Sequence, residues 1–409
     1  MVDNEKVRCC IKGTDDAPKD SLITFEYLNK GAANVVFKIH PWSPGSAKTA
    51  FLIVEIAFDG LTGTPVPYQE VANQVLRVSR GRHKHLPGEV IIHGFETDIR
   101  PLFVSGQITT LVANNNDSSA PSASVTQVPI TLPRHDLGQH LMDHQGLVLL
   151  QDAMAYLISK TEANTFEKES GEKSPVRTRL GILLPDMSPA SGASITLELK
   201  PKWLLQSPNA PRGAVRCRTC AMQVANPKDR QTYLCPLRLV AGNKEDLISW
   251  AHHTVGQQFS AAADVSADPP PQHLVSSIID HLLKYITNGD GRALLHHLRF
   301  LQKELDPQGA LYRDSMYPKD LFDHNLRLAM TLRDCSLFIK VPYNAEGAIA
   351  SQISSKLGDL DFKSAEKIVD WTQKELSLQA EQMYTKDIED DLDCWFPRIR
   401  EPSAEETEG

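Results

Sequence analysis

A chain of 409 residues, 41% apolar and 23% charged, is long enough for two domains and has the make-up of an ordinary globular protein. No run approaches the roughly 18 consecutive apolar residues of a membrane span. A net charge of −8, from 43 Lys plus Arg against 51 Asp plus Glu, excludes a general coat for nucleic acid or anionic membrane. An anionic ligand must therefore meet cations gathered in one place.

The opening "MVDNEKVRCCIKGTDDAPKD" lacks the apolar core of a secretion signal, and residues 1–21 read as an extension. Seven cysteines, an odd number, do not make a disulfide framework, so the expected compartment is reducing: nucleus, cytoplasm or both. From 22 to 104, "ANVVFKI", "TAFLIVEIAF", "NQVLRVSR" and "EVIIHGF" read as short β-rich strands separated by turn residues. Together with polar insertions they define a mainly antiparallel lobe over 22–180.

The insertions are "NNNDSSAPSAS" (114–124) and "EKESGEKSP" (167–175), both too polar to order themselves. His135, His140 and His144 fall in a helix-like stretch, where solvated or core-satisfied histidines are the default. "LGILLP" and "ASITLELKPKW" are further strands. "HLVSSIIDHLLKYITNGDG" places Leu274, Val275, Ile278, Ile279, Leu282, Leu283 and Ile286 at helical period, stopped by Asn288-Gly289. A mixed lobe with more helices than strands is expected over 181–390, followed by an acidic tail over 391–409.

Several short stretches carry chemistry. Gly31, Ala32, Ala33 and Asn34 form a turn of small residues before a strand, where backbone N–H groups can approach phosphate oxygens. An ordinary hairpin turn explains the same residues. Downstream come a strand cation, Arg77, then "LLPD" with Asp186, then "RDCS", then "GDLDFK". That order matches the phosphoryl-transfer template of a phosphate-pairing cation, a carboxylate for the accepting hydroxyl and a later metal-holding Asp.

In "LELKPKW" the two-residue period puts Glu198, Lys200 and Lys202 on one strand face, the alternative being a solvated edge strand. Asp334 stands just before an apolar strand, while Asp359 and Asp361 lie two apart and offer hard oxygen ligands suited to Mg²⁺. Cys217-x-x-Cys220 with Cys235 supplies three of the four ligands of a structural zinc. His252 or His253 would have to complete the set, and the absence of a second pair weighs against the metal.

Taken in order, "GAANVVFKI", "VLRVSRG", "IRPLF", "LELKPKW", "RCRTCAMQ", "CPLRLVAG", "LRDCSLFIK" and "DLDFK" are similar to the inositol-pentakisphosphate 2-kinase family in a fungal-type version. The resemblance implies an α+β, two-lobed inositol-phosphate kinase fold with its active site in a cleft. It also implies transfer of phosphate from ATP to the 2-hydroxyl of inositol 1,3,4,5,6-pentakisphosphate. Gly31 to Asn34 would then cover the ATP phosphates, with Arg77, Asp186, Glu198 and Lys200 completing the nucleotide site. Lys202, Arg218, Arg299, Lys363 and Lys367 would bind the inositol phosphates. Asp334, with Lys200 and Arg77, would be catalytic, and Asp359 and Asp361 would hold Mg²⁺.

The implied partner is the small-molecule substrate alone, with no nucleic acid or membrane, and the implied state is a monomer. Met222 stands where the family pattern has His, with Lys228 or Arg230 as compensating cations. A catalytically inactive inositol-phosphate-binding scaffold is the rival reading. It would keep the basic residues and lose Asp334 or Asp359, and both are present. No H-R-D-x-x-x-x-N or D-F-G string points to a protein kinase.

Overall fold

The structure is a computed structural model that describes residues 6–396 apart from 47, 57–62, 81–85, 105–106, 114–124, 133–136, 162–178, 228–232, 263–269, 313–318 and 388–393. The polar insertion segments, His135, Lys228 and Arg230 lie outside the described residues.

In chain order the strands are β1 Val7–Lys12, β2 Leu22–Lys30, β3 Asn34–Pro41, β4 Phe51–Ile56, β5 Gly63–Pro65, β6 Gln74–Ser79, β7 Gln107–Ala113, β8 Val125–Thr131, β9 Gln145–Leu149, β10 Arg179–Pro185, β11 Ser194–Leu199, β12 Ser336–Asn344, β13 Gly347–Ala348 and β14 Ser354–Gly358. The helices are α1 Gly88–Gly94, α2 Gln151–Ser159, α3 Arg218–Ala225, α4 Pro236–Ala241, α5 Lys244–Ala262, α6 Gln272–Asn288, α7 Asp290–Leu305, α8 Lys319–Asp334 and α9 Lys367–Ala380. The fold is mixed α+β, as the alternation of patterns implied. The chain divides into two compact units, one of residues 1–97 and 142–186, the other of 98–141 and 187–409.

The first unit is a barrel. β1 pairs antiparallel with β4 along its whole length and parallel with β9 at Cys9↔Val148, which closes the order β1-β9-β10-β6-β3-β2-β4 into a ring of seven strands. β5 is added to β4 at the rim. The alternation read in "NVVFKIHP" is realised in β3, where Val35, Phe37 and Ile39 are buried and Val36, Lys38 and His40 are half-buried. With Phe25, Phe51, Ile53, Leu76, Leu147 and Leu183 they fill the interior, joined by Ala153, Met154 and Leu157 of α2. Each such side chain stabilises the unit by ~1.5–3 kcal/mol relative to exposure.

"EVIIHGF" is not a strand. It forms α1, entered from Pro87 in extended conformation and continued by a π-helical turn at Phe95–Ile99. Ile91, Phe95 and Ile99 are buried at a four-residue spacing, so helical burial prevailed over the β-propensity of a short apolar run. Nor do His140 and His144 lie in an α-helix: His140 ends a 3₁₀ turn and His144 leads into β9.

The second unit has β12 at the centre of a small antiparallel sheet, flanked by β11 and β14, with β13 on its far end. α6 forms where the apolar spacing placed it, burying Leu274, Ile278, Ile279, Leu282, Leu283 and Ile286. Register decides what meets at the edge of this sheet. Leu199, the last residue of β11, lies opposite Leu337, and Ser336, the first of β12, lies opposite Gly358, the last of β14. The chain leaving β11, the chain entering β12 and the chain leaving β14 therefore converge at one end. "KPKW", "RDC" and "DLDFK" occupy those three places.

Candidate active site

Asp334 is the last residue of α8, two positions before β12 begins. Its carboxylate takes Lys202 Nζ on Oδ1 at 3.2 Å and Lys363 Nζ on Oδ2 at 3.0 Å. Burial alone would raise this carboxyl, but the ammonium groups of Lys363 and Lys202 outweigh it and hold Asp334 below the usual carboxylate range. In the same way, burial would lower Lys363, yet the charges of Asp334 and Asp359 hold it above the ordinary lysine value.

The neighbouring carboxylate behaves oppositely. Asp359 is raised, chiefly by burial, with repulsion from Asp361 and Asp334 added and Lys363 and Lys200 only partly compensating. Asp359 also sits at φ 55°, and so does Lys202, a left-handed conformation that is uncommon outside glycine. One strained residue is thus a member of the Asp334 ion pair and the other a carboxylate beside it, as fits a built site. β11 stops at Leu199, ahead of Pro201, which has no N–H for a ladder, and the chain turns left-handed at Lys202, so that Lys200 and Lys202 do not share a strand face with Glu198.

The remaining residues of this unit divide between the site and its surroundings. Lys200 pairs with Glu198 at 3.4 Å, and Glu198 accepts a hydrogen bond from Ser336 Oγ at 2.7 Å. Lys363 is anchored through its backbone, its N–H donating to Thr331 Oγ1 at 3.2 Å and its carbonyl accepting from Arg327 Nε at 2.6 Å. Lys367 opens α9 and pairs with Asp370 at 3.6 Å, and Arg299 is exposed on α7 beside His296; neither bonds to the Asp334 group among the described residues. Arg218 is buried, its Nε donating to Glu375 Oε2 at 2.7 Å. Met222 packs in a small apolar cluster around Leu378, Met383 and Tyr384.

In the barrel unit, the small-residue turn joins β2 to β3, closed by Gly31 N–H donating to Asn34 O at 2.9 Å. Arg80, not anticipated, ties the turn down: its N–H donates to Ala33 O at 2.9 Å and its Nη1 to Gly31 O at 3.2 Å. A Cβ at Gly31 would meet only Asn34 O, at 3.9 Å, so this turn does not need glycine for steric reasons. Arg77 is buried on β6 between Val36 of β3 and Ile182 of β10. Asp186 follows β10, its N–H on Asn73 O at 2.7 Å and its carboxylate 3.4 Å from Lys38. The turn, Arg77 and the Lys38–Asp186 pair thus lie along three adjacent strands.

A second cluster lies in the larger unit. Cys217, Cys220, Cys235 and Cys394 are all buried, with their sulfurs within 4.8 Å of one another, and Cys394 stands where His252 or His253 had been the expected fourth group. The Cys217–Cys235 sulfur separation of 3.9 Å matches the roughly 3.8 Å edge of a tetrahedron with ~2.3 Å zinc–sulfur bonds. Cys217 N–H donates to Cys394 Sγ at 3.2 Å and Tyr233 OH lies 3.0 Å from Cys220 Sγ, the kind of outer contacts that orient thiolate ligands. Bonding from Cys217, Cys220 and Cys394 lowers the Cys235 thiol below its ordinary value. These residues fit a tetrahedral metal site.

A carboxylate held between two lysines, with a second carboxylate beside it at the convergence of three strand ends in an α+β protein, makes a site suited to phosphoryl transfer. A sequence model of the inositol-pentakisphosphate 2-kinase family matches residues 27–377, and the chain belongs to that family. An inositol-pentakisphosphate 2-kinase of Yarrowia lipolytica (strain CLIB 122 / E 150) is 29% identical over 194 residues, 47% of this chain. The chain spans about half the length of that relative, the matched part covering 55% of it.

Proposed function

We propose that this protein transfers the γ-phosphoryl group of ATP to the 2-hydroxyl of inositol 1,3,4,5,6-pentakisphosphate, giving the hexakisphosphate and ADP. The observation that carries the reading is Asp334 held between Lys202 and Lys363 beside Asp359, in a member of this kinase family. The barrel residues Gly31 to Asn34, Arg77 and Asp186 are assigned to the nucleotide, as, in the other unit, are Glu198 and Lys200. Lys202, Lys363, Lys367 and Arg299 are assigned to the phosphates of the acceptor, whereas Arg218, buried against Trp203 and paired with Glu375, is assigned to their support from inside.

In the reaction the acceptor oxygen forms a bond to γ-phosphorus as the bond to the β-bridging oxygen breaks, and the hydroxyl proton passes to Asp334. A carboxylate held below its usual range is a weak base, but a loose phosphoryl-transfer transition state asks mainly for orientation and charge stabilisation. Asp334 orients the hydroxyl and takes its proton late, while Lys202 and Lys363 fix the carboxylate and face the charge that develops. Asp359 and Asp361 would hold Mg²⁺, which would supply neutralisation of phosphate charge. A cation held there would favour the charged form of Asp359 and so offset the burial and the like charges that raise it. Cys217, Cys220, Cys235 and Cys394, buried with their sulfurs within 4.8 Å of one another, would hold a structural Zn²⁺ with no part in the transfer step. The test is an acceptor panel with MgATP: the pentakisphosphate lacking only the 2-phosphate should be consumed far faster than isomers with a free equatorial hydroxyl. Equal rates across the panel would refute the assigned regiochemistry.

A further inference from the structure

Trp203 and Arg333 are the immediate sequence neighbours of Lys202 and Asp334, and they are stacked on each other inside the protein. The Arg333 guanidinium carbon is 3.6 Å from the centroid of the Trp203 ring and that of Arg218 is 4.2 Å from it. Both guanidinium groups are thus packed directly on the one indole. Each guanidinium is held by its own carboxylate, Arg333 by Asp306 at 2.5 Å and Arg218 by Glu375 at 2.7 Å. Asp306 and Glu375 are buried, as are both arginines. The five residues Glu375, Arg218, Trp203, Arg333 and Asp306 are drawn from α9, α3, the chain after β11, α8 and the end of α7.

Gln302 of α7, 1% exposed, brackets the same indole through the backbone. Its Nε2 donates to Lys202 O at 2.9 Å, and its Oε1 accepts from Leu204 N–H at 3.0 Å. Lys202, whose φ of 55° the chain would not keep unaided, is thereby tied on its carbonyl side. Cation–π contacts of desolvated guanidinium groups are among the stronger of their kind, and a buried stack of this sort has one low-energy arrangement.

We infer that Trp203, held by Arg333 and Arg218 and bracketed by Gln302, is a positioning residue that sets the Lys202–Asp334 pair in register for transfer. It touches no reacting atom and acts through its two neighbours. The inference rests on the proposed role of Asp334, and the experiment separates the two.

The variants are Trp203→Leu, Trp203→Phe, which keeps a flat ring, and Gln302→Met, which loses the backbone bracket but leaves the stack. Displacing a catalytic pair by about 1 Å costs on the order of 10²-fold. Trp203→Leu should therefore lower kcat by about 10- to 100-fold per folded molecule, with KM for ATP changed by less than about twofold. Trp203→Phe should recover most of that loss, and Gln302→Met should show the same pattern at smaller size. In a Lys202→Ala background, Trp203→Leu should add little further loss, whereas a merely structural role would give additive losses.

A second readout does not depend on turnover: amine acylation of Lys202 followed by mass spectrometry, referenced to Lys244, an exposed lysine paired with Asp280 on another face. Trp203→Leu and Gln302→Met should each raise Lys202 labelling severalfold and leave Lys244 unchanged. If the wild-type protein does not phosphorylate the pentakisphosphate but Lys202 labelling still rises, the proposed function fails and the positioning stands. Unchanged Lys202 labelling in both variants, or equal kcat losses for Leu and Phe at position 203, overturns the positioning inference.

Discussion

Glu375→Gln changes one atom of the buried network and exposes what Arg218 is for. Glu375 is 1% exposed; its Oε1 accepts from Ser207 Oγ at 3.0 Å and Tyr384 OH at 2.5 Å, and its Oε2 accepts from Arg218 Nε at 2.7 Å. Glutamine can keep Oε1 and both hydroxyl bonds, but then its NH₂ faces the arginine Nε–H, donor against donor. A buried cation is left without its anion, a change that costs ~3–5 kcal/mol. That is a large share of the ~5–15 kcal/mol that holds a typical domain folded. Arg218→Met makes the complementary defect by leaving the carboxylate buried alone, while the thioether still covers the Trp203 ring. In the double variant both charges are gone, Ser207 and Tyr384 keep their acceptor, and the two losses should not add. Urea unfolding followed by fluorescence and circular dichroism should show the double variant at least ~2 kcal/mol more stable than the sum of the singles implies. Additivity within ~0.5 kcal/mol would refute the argument that the pair is internally compensated.

Asp359→Ala should lower activity in a way that raised Mg²⁺ partly restores, because a ligand is lost while the rest of the site remains; an unchanged Mg²⁺ dependence would move the metal role elsewhere. Replacing Lys202, Lys363 or Lys367 by Ala should raise KM for the inositol phosphate more than KM for ATP, more steeply at low salt, whereas Lys200→Ala should impair ATP use at least as much. Paired titrations at two ionic strengths read this, and equal effects on both substrates would place the cations wrongly. Metal analysis of purified protein should return about one zinc per chain, and a strong chelator, or Cys394→Ser, should strip it and lower the melting temperature by several degrees. A metal-free protein with unchanged melting after chelation would remove the zinc.

What the sequence made legible followed from local pattern. The alternation in β3 and the helical spacing of α6 each name their buried face without help from the rest of the chain. "KPKW", "RDCS" and "DLDFK" could be singled out because their residue types are costly to place side by side without a chemical reason. Closure of the barrel was not legible, because it depends on a parallel β1–β9 pairing across more than a hundred residues. "EVIIHGF" was misread because a short apolar run carries strand and helix burial equally well. The fourth thiol, Cys394, and the supporting Gln302, Asp306 and Glu375 are separated from their partners by long stretches of chain and carry no spacing signal. Arg333 and Trp203 lay inside quoted motifs, yet only the fold shows that they touch.

The central claim is that Asp334 serves transfer to the pentakisphosphate, and the most direct test is product formation by wild type and Asp334→Asn side by side. Each protein is incubated with MgATP and inositol 1,3,4,5,6-pentakisphosphate, and the products are resolved by anion-exchange chromatography and ³¹P NMR, with ATP binding measured in parallel. The account expects hexakisphosphate bearing a new axial 2-phosphate from the wild type, and at least a ~10²-fold lower kcat from Asp334→Asn with ATP binding nearly unchanged. An Asp334→Asn protein that keeps most of its kcat, or a wild type that leaves the pentakisphosphate untouched, would contradict it.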